Sequence, residues 1–435
     1  MYRIIDLSIS SRRLHPFVVL IILLALHGCA AIENVRLKSP THPEEAIERN
    51  EFAVAKEDDV IGRLATIRLK KGDTLPDIAR HFSLGINEIS VANPGVDVWV
   101  PEAGTRIVLP LSFILPDAPR KGIVINLATM RLFQFKGDKK ALAVSTYPVG
   151  VGTMEKPTPM GQAYVERKIT RPTWHVPASI AEAHRKKGDL LPRTVPPGPE
   201  NPLGEYALYL SKSSYLIHGT NKPASIGLKA TNGCIRLYPE DIKKLYEKVP
   251  VKTPVSIINQ PYLIGQRSGV FYLEVHASVG EQKIPELKKI FDKLKIIEKK
   301  TKRAIDWGKV DQALAEARGI PVPIQEIREE IEKAEKIVEV SHPGKLYGRP
   351  EIPALSMEAW YVLAAELRDE MDASRLAAII NHQGPPIPAR ILAKNDSYRV
   401  IAGPFSNISK ARDAVKRLKI DLEIDGILIE PVRNR

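Results

Sequence analysis

The chain has 435 residues, of which 44% are apolar and 26% charged, with a formal net charge of +13. That length exceeds one ordinary hydrophobic core and sets an expectation of about three domains, while the composition excludes a disordered or membrane-embedded protein. The positive charge is not gathered into an arginine-rich or aromatic-interleaved patch, and no helix-turn-helix, zinc-knuckle or RNA-binding signature accompanies it, so no nucleic-acid partner is expected. A basic surface facing anionic lipid or wall polymer accounts for the charge.

At the N-terminus Arg3, Arg12 and Arg13 precede Phe17–Leu26, ten apolar residues in a row. That run is too short to span a bilayer and suits the centre of a signal peptide over residues 1–28. Leu26-His27-Gly28-Cys29 then resembles a lipobox, whose cysteine becomes the lipid-modified first residue of the mature chain. His27 departs from the small residue usual there, and cleavage near Ala30 or Ala31, or an uncleaved anchor, are the alternatives. The expectation is a lipid-anchored protein on the periplasmic side of the envelope, held to the membrane through Cys29. Cys29 and Cys234 are the only cysteines. They have the option of a disulfide, but with Cys29 lipidated or removed, Cys234 is the sole thiol in an oxidising compartment.

Residues 29–65 are polar and aperiodic and read as a tether. From 66 to 110 the pattern is strand, helix, helix, strand: Ile67 and Leu69 alternate with polar residues, Gly72-Asp73-Thr74 caps a helix, and Leu75, Ile78, Ala79 and Phe82 form one apolar face. A second helix over Ile86 to Ala92 ends at Asn93-Pro94, and Arg106 to Leu109 closes the unit. This unit resembles a LysM domain, which implies binding to N-acetylglucosamine-containing glycan strands. Residues 115–280 are β-rich, with strands over 123–126, 131–135, 142–149, 206–210, 215–218, 255–259 and 270–276. Ten prolines between 148 and 202 indicate a looped excursion, and Pro239, Glu240 and Asp241 open a helix whose positive end the acids complement. Residues 281–390 read as a helical connecting region, with an apolar stripe through Ile284, Leu287, Ile290, Phe291, Leu294 and Ile297 and further helices at 324–338 and 356–381. The end of the chain, 391–435, is strand, helix, strand. Tyr398 to Phe405, with Ala411-Arg412, resembles a SPOR domain, a family that binds glycan strands stripped of peptides.

The chemistry-bearing constellation is Ile217-His218-Gly219-Thr220, Ser225-Ile226-Gly227 and Thr231-Asn232-Gly233-Cys234-Ile235-Arg236-Leu237. A histidine at the end of a strand and a cysteine beyond a glycine-containing connection can meet as base and thiol, and a thiol needs such a neighbour to become nucleophilic. Gly233 lets the backbone turn its amides toward a developing oxyanion, and the planar fork of Arg236 suits a substrate carboxylate. A metal site would need more ligands, and only His175 and His184 lie near in sequence without CxxC or HxxxH spacing, so no metal and no cofactor are expected.

These segments resemble the signature of the L,D-transpeptidase catalytic domain of the YkuD type, and so do Tyr147-Pro-Val-Gly150, Thr158-Pro-Met-Gly161, Pro172-Thr-Trp174 and Pro199–Gly204. The resemblance implies a mostly β, sandwich-like catalytic domain flanked by small α+β modules. It implies attack by Cys234 on the third residue of a peptidoglycan stem peptide, with release of the terminal D-alanine and transfer of the acyl group from a thioester to an amine. His218 would be the base, oriented by the Gly219 carbonyl, with Gly233 at the oxyanion and Arg236, Thr231, Asn232, Ser225 and Trp174 toward substrate. The acceptor is a stem peptide, a free D-amino acid or a wall-attached lipoprotein. Asn232 stands where the family usually has histidine, a difference that bears on fine positioning and leaves the base untouched. A cysteine hydrolase and a non-catalytic wall tether are the competing readings; hydrolases of the NlpC/P60 type carry the cysteine before the histidine, the reverse of this order.

Overall fold

The computed structural model describes residues 47–137, 142–277, 283–327 and 336–432. The expected signal peptide and Cys29 lie outside the described residues. Segments expected to be tether are built into the fold instead. Strand β1 (Glu51–Val54) and strand β2 (Val60–Gly62) precede β3 (Ala65–Arg68). Glu51–Val54 carries little pattern of its own, and pairing with β8 together with Phe52, buried edge-on against Phe113, makes it an edge strand.

Next comes the small module: β3, helix α1 (Leu75–His81), helix α2 (Ile86–Ala92) and β4 (Arg106–Leu109), with β3 and β4 antiparallel. The Thr74 side chain accepts from Asp77 N and Pro76 occupies the first turn, so α1 starts where the sequence placed its cap. The apolar stripe of Leu75, Ile78, Ala79 and Phe82 is buried, as the helical spacing requires.

The main sheet has nine strands. After β5 (Ser112–Ile114), which pairs with β2, come β6 (Gly122–Asn126), β7 (Arg131–Gly137), β8 (Leu142–Pro148), the two-residue β9 (Val151–Gly152) and β10 (Gly161–Thr170). The proline-rich excursion carries β11 (Trp174–His175), helix α3 (Ala178–Lys186) and β12 (Thr194–Val195). Then follow β13 (Tyr206–Leu210), β14 (Leu216–His218), β15 (Lys229–Thr231), β16 (Ile235–Arg236), helix α4 (Pro239–Lys248) and β17 (Pro254–Ile258). The sheet order is β1-β8-β7-β6-β17-β10-β13-β14-β16, with β9 and β15 forming a separate parallel pair. Ile123, Leu132, Tyr147, Val165, Leu208, Ile217, Ile235, Ile242 and Leu245 meet in one core between this sheet and α4.

The modules are not independent beads. One core joins Ile67, Leu75 and Ile78 of the small module to Val124, Phe133, Phe135 and Val144 of the main sheet. Arg131 on β7, 1% exposed, holds Glu88 of α2 with two contacts of 2.7 Å and lies 4.0 Å over the Phe113 ring. Arg80 of α1 forks onto Glu240 of α4 at 2.9 and 3.0 Å.

The strand expected over 270–276 forms within the β-rich segment, whereas the helical region expected over 281–390 is only partly helical. β18 (Tyr262–Arg267) and β19 (Val270–Val275) pair as a hairpin, and β20 (Val322–Pro323) joins β19. Helices α5 (Lys283–Thr301) and α6 (Trp307–Glu316) cover them, burying Leu294 and Ile297 with Leu273 and Val310. The helix expected over 324–338 falls largely on 328–335, outside the described residues. Its end is a strand, β21 (Val338–Glu339), which extends the small module's sheet beside β3.

The helix expected over 356–381 is a correction. Trp360–Leu367 is strand β22, and only Glu370–Asn381 is helix α7, started by the Asp369 side chain accepting from Asp372 N. Ala-Ala-Glu-Leu favours helix locally, but Trp-Tyr-Val-Leu leads into it, and pairing with β24 (Ser397–Phe405) decides the conformation. With β23 (Ala389–Lys394), helix α8 (Ile408–Leu422) and β25 (Ile427–Ile429), the sheet order is β23-β24-β22-β25. The C-terminal module therefore includes β22 from Trp360, well before 391, because Val362, Ala373 and Ile380 belong to its core.

Candidate active site

The site lies at the edge of the main sheet where β14 and β16 run parallel, with Ile217 opposite Ile235 and His218 opposite Arg236. Side chains alternate along a strand. Ile217 and Ile235 point into the core, so His218 and Arg236 share the other face, and Cys234, two residues before Arg236, falls on that face too. The parallel pairing of β14 and β16, and not the loop alone, sets these groups on one face.

His218 is 4% exposed, and its Nδ1 lies 2.7 Å from the Gly219 carbonyl. A carbonyl only accepts, so in the neutral ring Nδ1 carries the hydrogen and Nε2 keeps its lone pair. Burial, with the Arg236 cation second, pushes the imidazole down to about 3, against a smaller opposing pull from the Gly219 and Leu203 carbonyls. The imidazole is a neutral proton acceptor throughout the physiological range.

Cys234 is a free, half-buried thiol whose Sγ donates to the Ser214 carbonyl at 3.8 Å. Burial pushes its pKa up, partly offset by the Leu216 N–H and by Arg236. The resting pair is therefore thiol and imidazole, not thiolate and imidazolium. Gly233 turns at φ +103°, and a Cβ there would stand 2.7 Å from the Tyr215 ring, so only glycine fits.

Arg236 donates to Ser225 Oγ at 2.9 Å, its Nε is buried without a partner, and among the described residues it pairs with no carboxylate. A half-buried guanidinium with a buried, unsatisfied N–H favours an arriving anion. Ser225 also donates to the Lys222 carbonyl at 2.6 Å, so its hydroxyl is committed to holding Arg236 and its own loop. Thr231, expected to face substrate, is buried: its hydroxyl donates to Cys234 O at 2.7 Å and accepts from Gly233 N at 3.1 Å. Asn232 is exposed. Trp174 sits on β11, paired with Val195 in the excursion, and the structure does not bring it into the group formed by Cys234, His218 and Arg236. The excursion meets the site instead through Leu203 and Gly204, where a Cβ on Gly204 would stand 2.9 Å from Thr220 N. Ser214 and Tyr215 escaped the sequence reading, since each acts through backbone or ring proximity that no motif spacing encodes; Leu203 lies within the Pro199–Gly204 motif, but its backbone role was not legible there.

A free thiol, a buried neutral imidazole and a half-buried arginine that has no carboxylate partner among the described residues share one strand face and define a thiol-centred group-transfer site. Residues 120–257 match the family model of the YkuD L,D-transpeptidase catalytic domain, and residues 356–430 match the SPOR domain. The chain is 42% identical over 221 residues to the probable L,D-transpeptidase YbiS of Escherichia coli (strain K12), covering 50% of this chain and 71% of that protein. It is 37% identical over 276 residues to the probable L,D-transpeptidase ErfK/SrfK of Salmonella typhimurium, covering 62% of this chain and 83% of that one. The chain belongs to the L,D-transpeptidase family. It is a peptidoglycan-acting transferase with a C-terminal SPOR domain.

Proposed function

We propose that Cys234 is the nucleophile and His218 the general base of acyl transfer from peptidoglycan tetrapeptide stems. The observation carrying this reading is the β14–β16 register, which sets a neutral imidazole and an unpaired guanidinium on the face of Cys234. The thiol proton passes to His218 Nε2 as Sγ bonds to the carbonyl carbon of the third stem residue. The C–N bond to the terminal D-alanine then breaks, and the imidazolium returns the proton to the departing amine. An acceptor amine attacks the thioester, gives its proton to the same imidazole, and the thiol is restored. Activation belongs to this concerted proton movement, since the resting thiol is held protonated. Arg236 holds a stem carboxylate and Gly233 shapes the oxyanion site.

The acceptor is a stem-peptide amine, a free D-amino acid or a lysine of a wall-attached lipoprotein. The strand-helix-helix-strand order of residues 66–110 supports a LysM-like glycan-binding role for that module. The SPOR domain supports binding of peptide-free glycan. The apolar run Phe17–Leu26, with Leu26-His27-Gly28-Cys29 after it, supports export and a lipid anchor on the periplasmic side. Purified protein incubated with disaccharide tetrapeptide is expected to release D-alanine and give cross-linked or exchanged products by mass spectrometry. Cys234→Ser and His218→Ala each abolish them, and full activity in either variant overturns the assignment.

A further inference from the structure

Thr158 opens the Thr158-Pro-Met-Gly161 segment, and nothing in the reaction above uses it. It is 5% exposed and lies on the loop after β9, which runs beside β15 through the pairing of Gly152 with Thr231. Its hydroxyl donates to the Gly233 carbonyl at 2.9 Å and accepts from Gly152 N at 3.0 Å. The loop is folded so closely on Gly152 that a Cβ there would stand 2.5 Å from Thr158 N. Thr153 N also donates to Thr231 O at 3.0 Å, tying the same loop to the segment before the cysteine.

We infer that Thr158 is a positioning residue that fixes the orientation of the peptide between Gly233 and Cys234. In a planar trans peptide the carbonyl oxygen and the following N–H lie on opposite sides. Anchoring the Gly233 oxygen to Thr158 therefore turns the Cys234 N–H away from that loop. Gly233, at φ +103°, has the freedom to let this peptide rotate. A rotated peptide would present an oxygen where acyl transfer needs a donor, and an oxyanion would be repelled rather than held. Thr231 pins the next carbonyl, that of Cys234, at 2.7 Å, so two threonine hydroxyls clamp the backbone on both sides of the cysteine. The inference rests on the reading of Cys234 as nucleophile.

Thr158→Val keeps the shape and removes the hydroxyl, and Thr158→Ser restores it. With disaccharide tetrapeptide as donor, Thr158→Val is expected to lower kcat roughly 10- to 100-fold, short of the ~10²–10³ lost when an oxyanion donor is removed outright. KM and the rate of Cys234 alkylation by iodoacetamide should stay near wild type, and Thr158→Ser should recover most of the turnover. A Thr158→Val protein that melts lower but keeps its kcat per alkylatable thiol overturns the inference, leaving Thr158 a stabilising residue only. Equal losses in the serine and valine variants overturn it as well. Cys234→Ser, run alongside, separates the two readings: retained turnover there takes down the nucleophile and this inference together, whereas a dead Cys234→Ser with a normal Thr158→Val removes only the inference.

Discussion

Asp241 offers a test whose size follows from the structure. It stands in the first turn of α4, 1% exposed, with neither carboxylate oxygen hydrogen-bonded. Burial, with Glu240 second, pushes its carboxyl up to about 7 from an ordinary 3.8. The positive end of α4 favours a charge there by only about 0.3–1 kcal/mol, which burial outweighs. Between those two pKa values the folded chain holds a proton that the unfolded chain has released, so stability falls as pH rises. The contribution is fully present below about 3.8 and is lost as pH climbs through about 7. A difference of roughly three units corresponds to a ceiling of about 4 kcal/mol. Asp241→Asn removes the titration and keeps the shape, at the smaller cost of an amide with incomplete partners. Urea denaturation from pH 5 to 8 should show wild type losing stability and Asp241→Asn staying nearly flat, with the curves converging toward pH 5 and the variant ahead at pH 8. Parallel pH profiles for the two proteins would show that Asp241 does not keep its proton on folding.

Three further outcomes follow from the geometry. Glu88→Ala leaves the buried Arg131 cation unpaired and should cost about 3–5 kcal/mol in the same denaturation assay; a change below about 1 kcal/mol would mean that the pair does not hold the small module to the sheet. A chain of residues 115–280 alone loses β1 and the shared core of Ile67, Leu75, Val124 and Phe133, so it should melt well below the full protein and turn over soluble muropeptides poorly. Equal melting temperatures and turnover would contradict the shared core. Because His218 is neutral down to about 3, turnover should show no histidine-type loss between pH 8 and 5, and iodoacetamide alkylation should keep rising above the ordinary thiol range; an acid limb centred near 6.5 would contradict the buried imidazole.

The signals that survived into the structure are those with a strong local cause. The cap at Thr74 and the stripe Leu75, Ile78, Ala79 and Phe82 gave α1 correctly because capping and helical periodicity act within one turn. His218 at a strand end and Gly233 before Cys234 were legible for the same reason. What the sequence hid depends on partners far along the chain. Glu51–Val54 read as tether because an edge strand needs only a neighbour, here β8, and almost no pattern of its own. Trp360–Leu367 read as helix because Ala-Ala-Glu-Leu favours one until β24 pairs with it. Asp241 read as a helix-end charge, which its position in α4 justifies, yet the depth of that turn in the core is a tertiary fact. Thr158, on the loop between β9 and β10, touches Gly233 only after β9 and β15 pair, and the hydroxyls of Thr231 and Ser225 serve backbone and Arg236 in ways that spacing alone does not reveal.

The central claim is that Cys234 carries the acyl group. Wild-type protein mixed with disaccharide tetrapeptide, quenched in acid and analysed by peptide mass spectrometry should carry the donor less one D-alanine on the peptide containing Cys234, and the adduct should disappear when an acceptor amine is added before the quench. Product formation with no adduct at Cys234, or the same adduct on another residue and persisting in Cys234→Ser, would contradict the account.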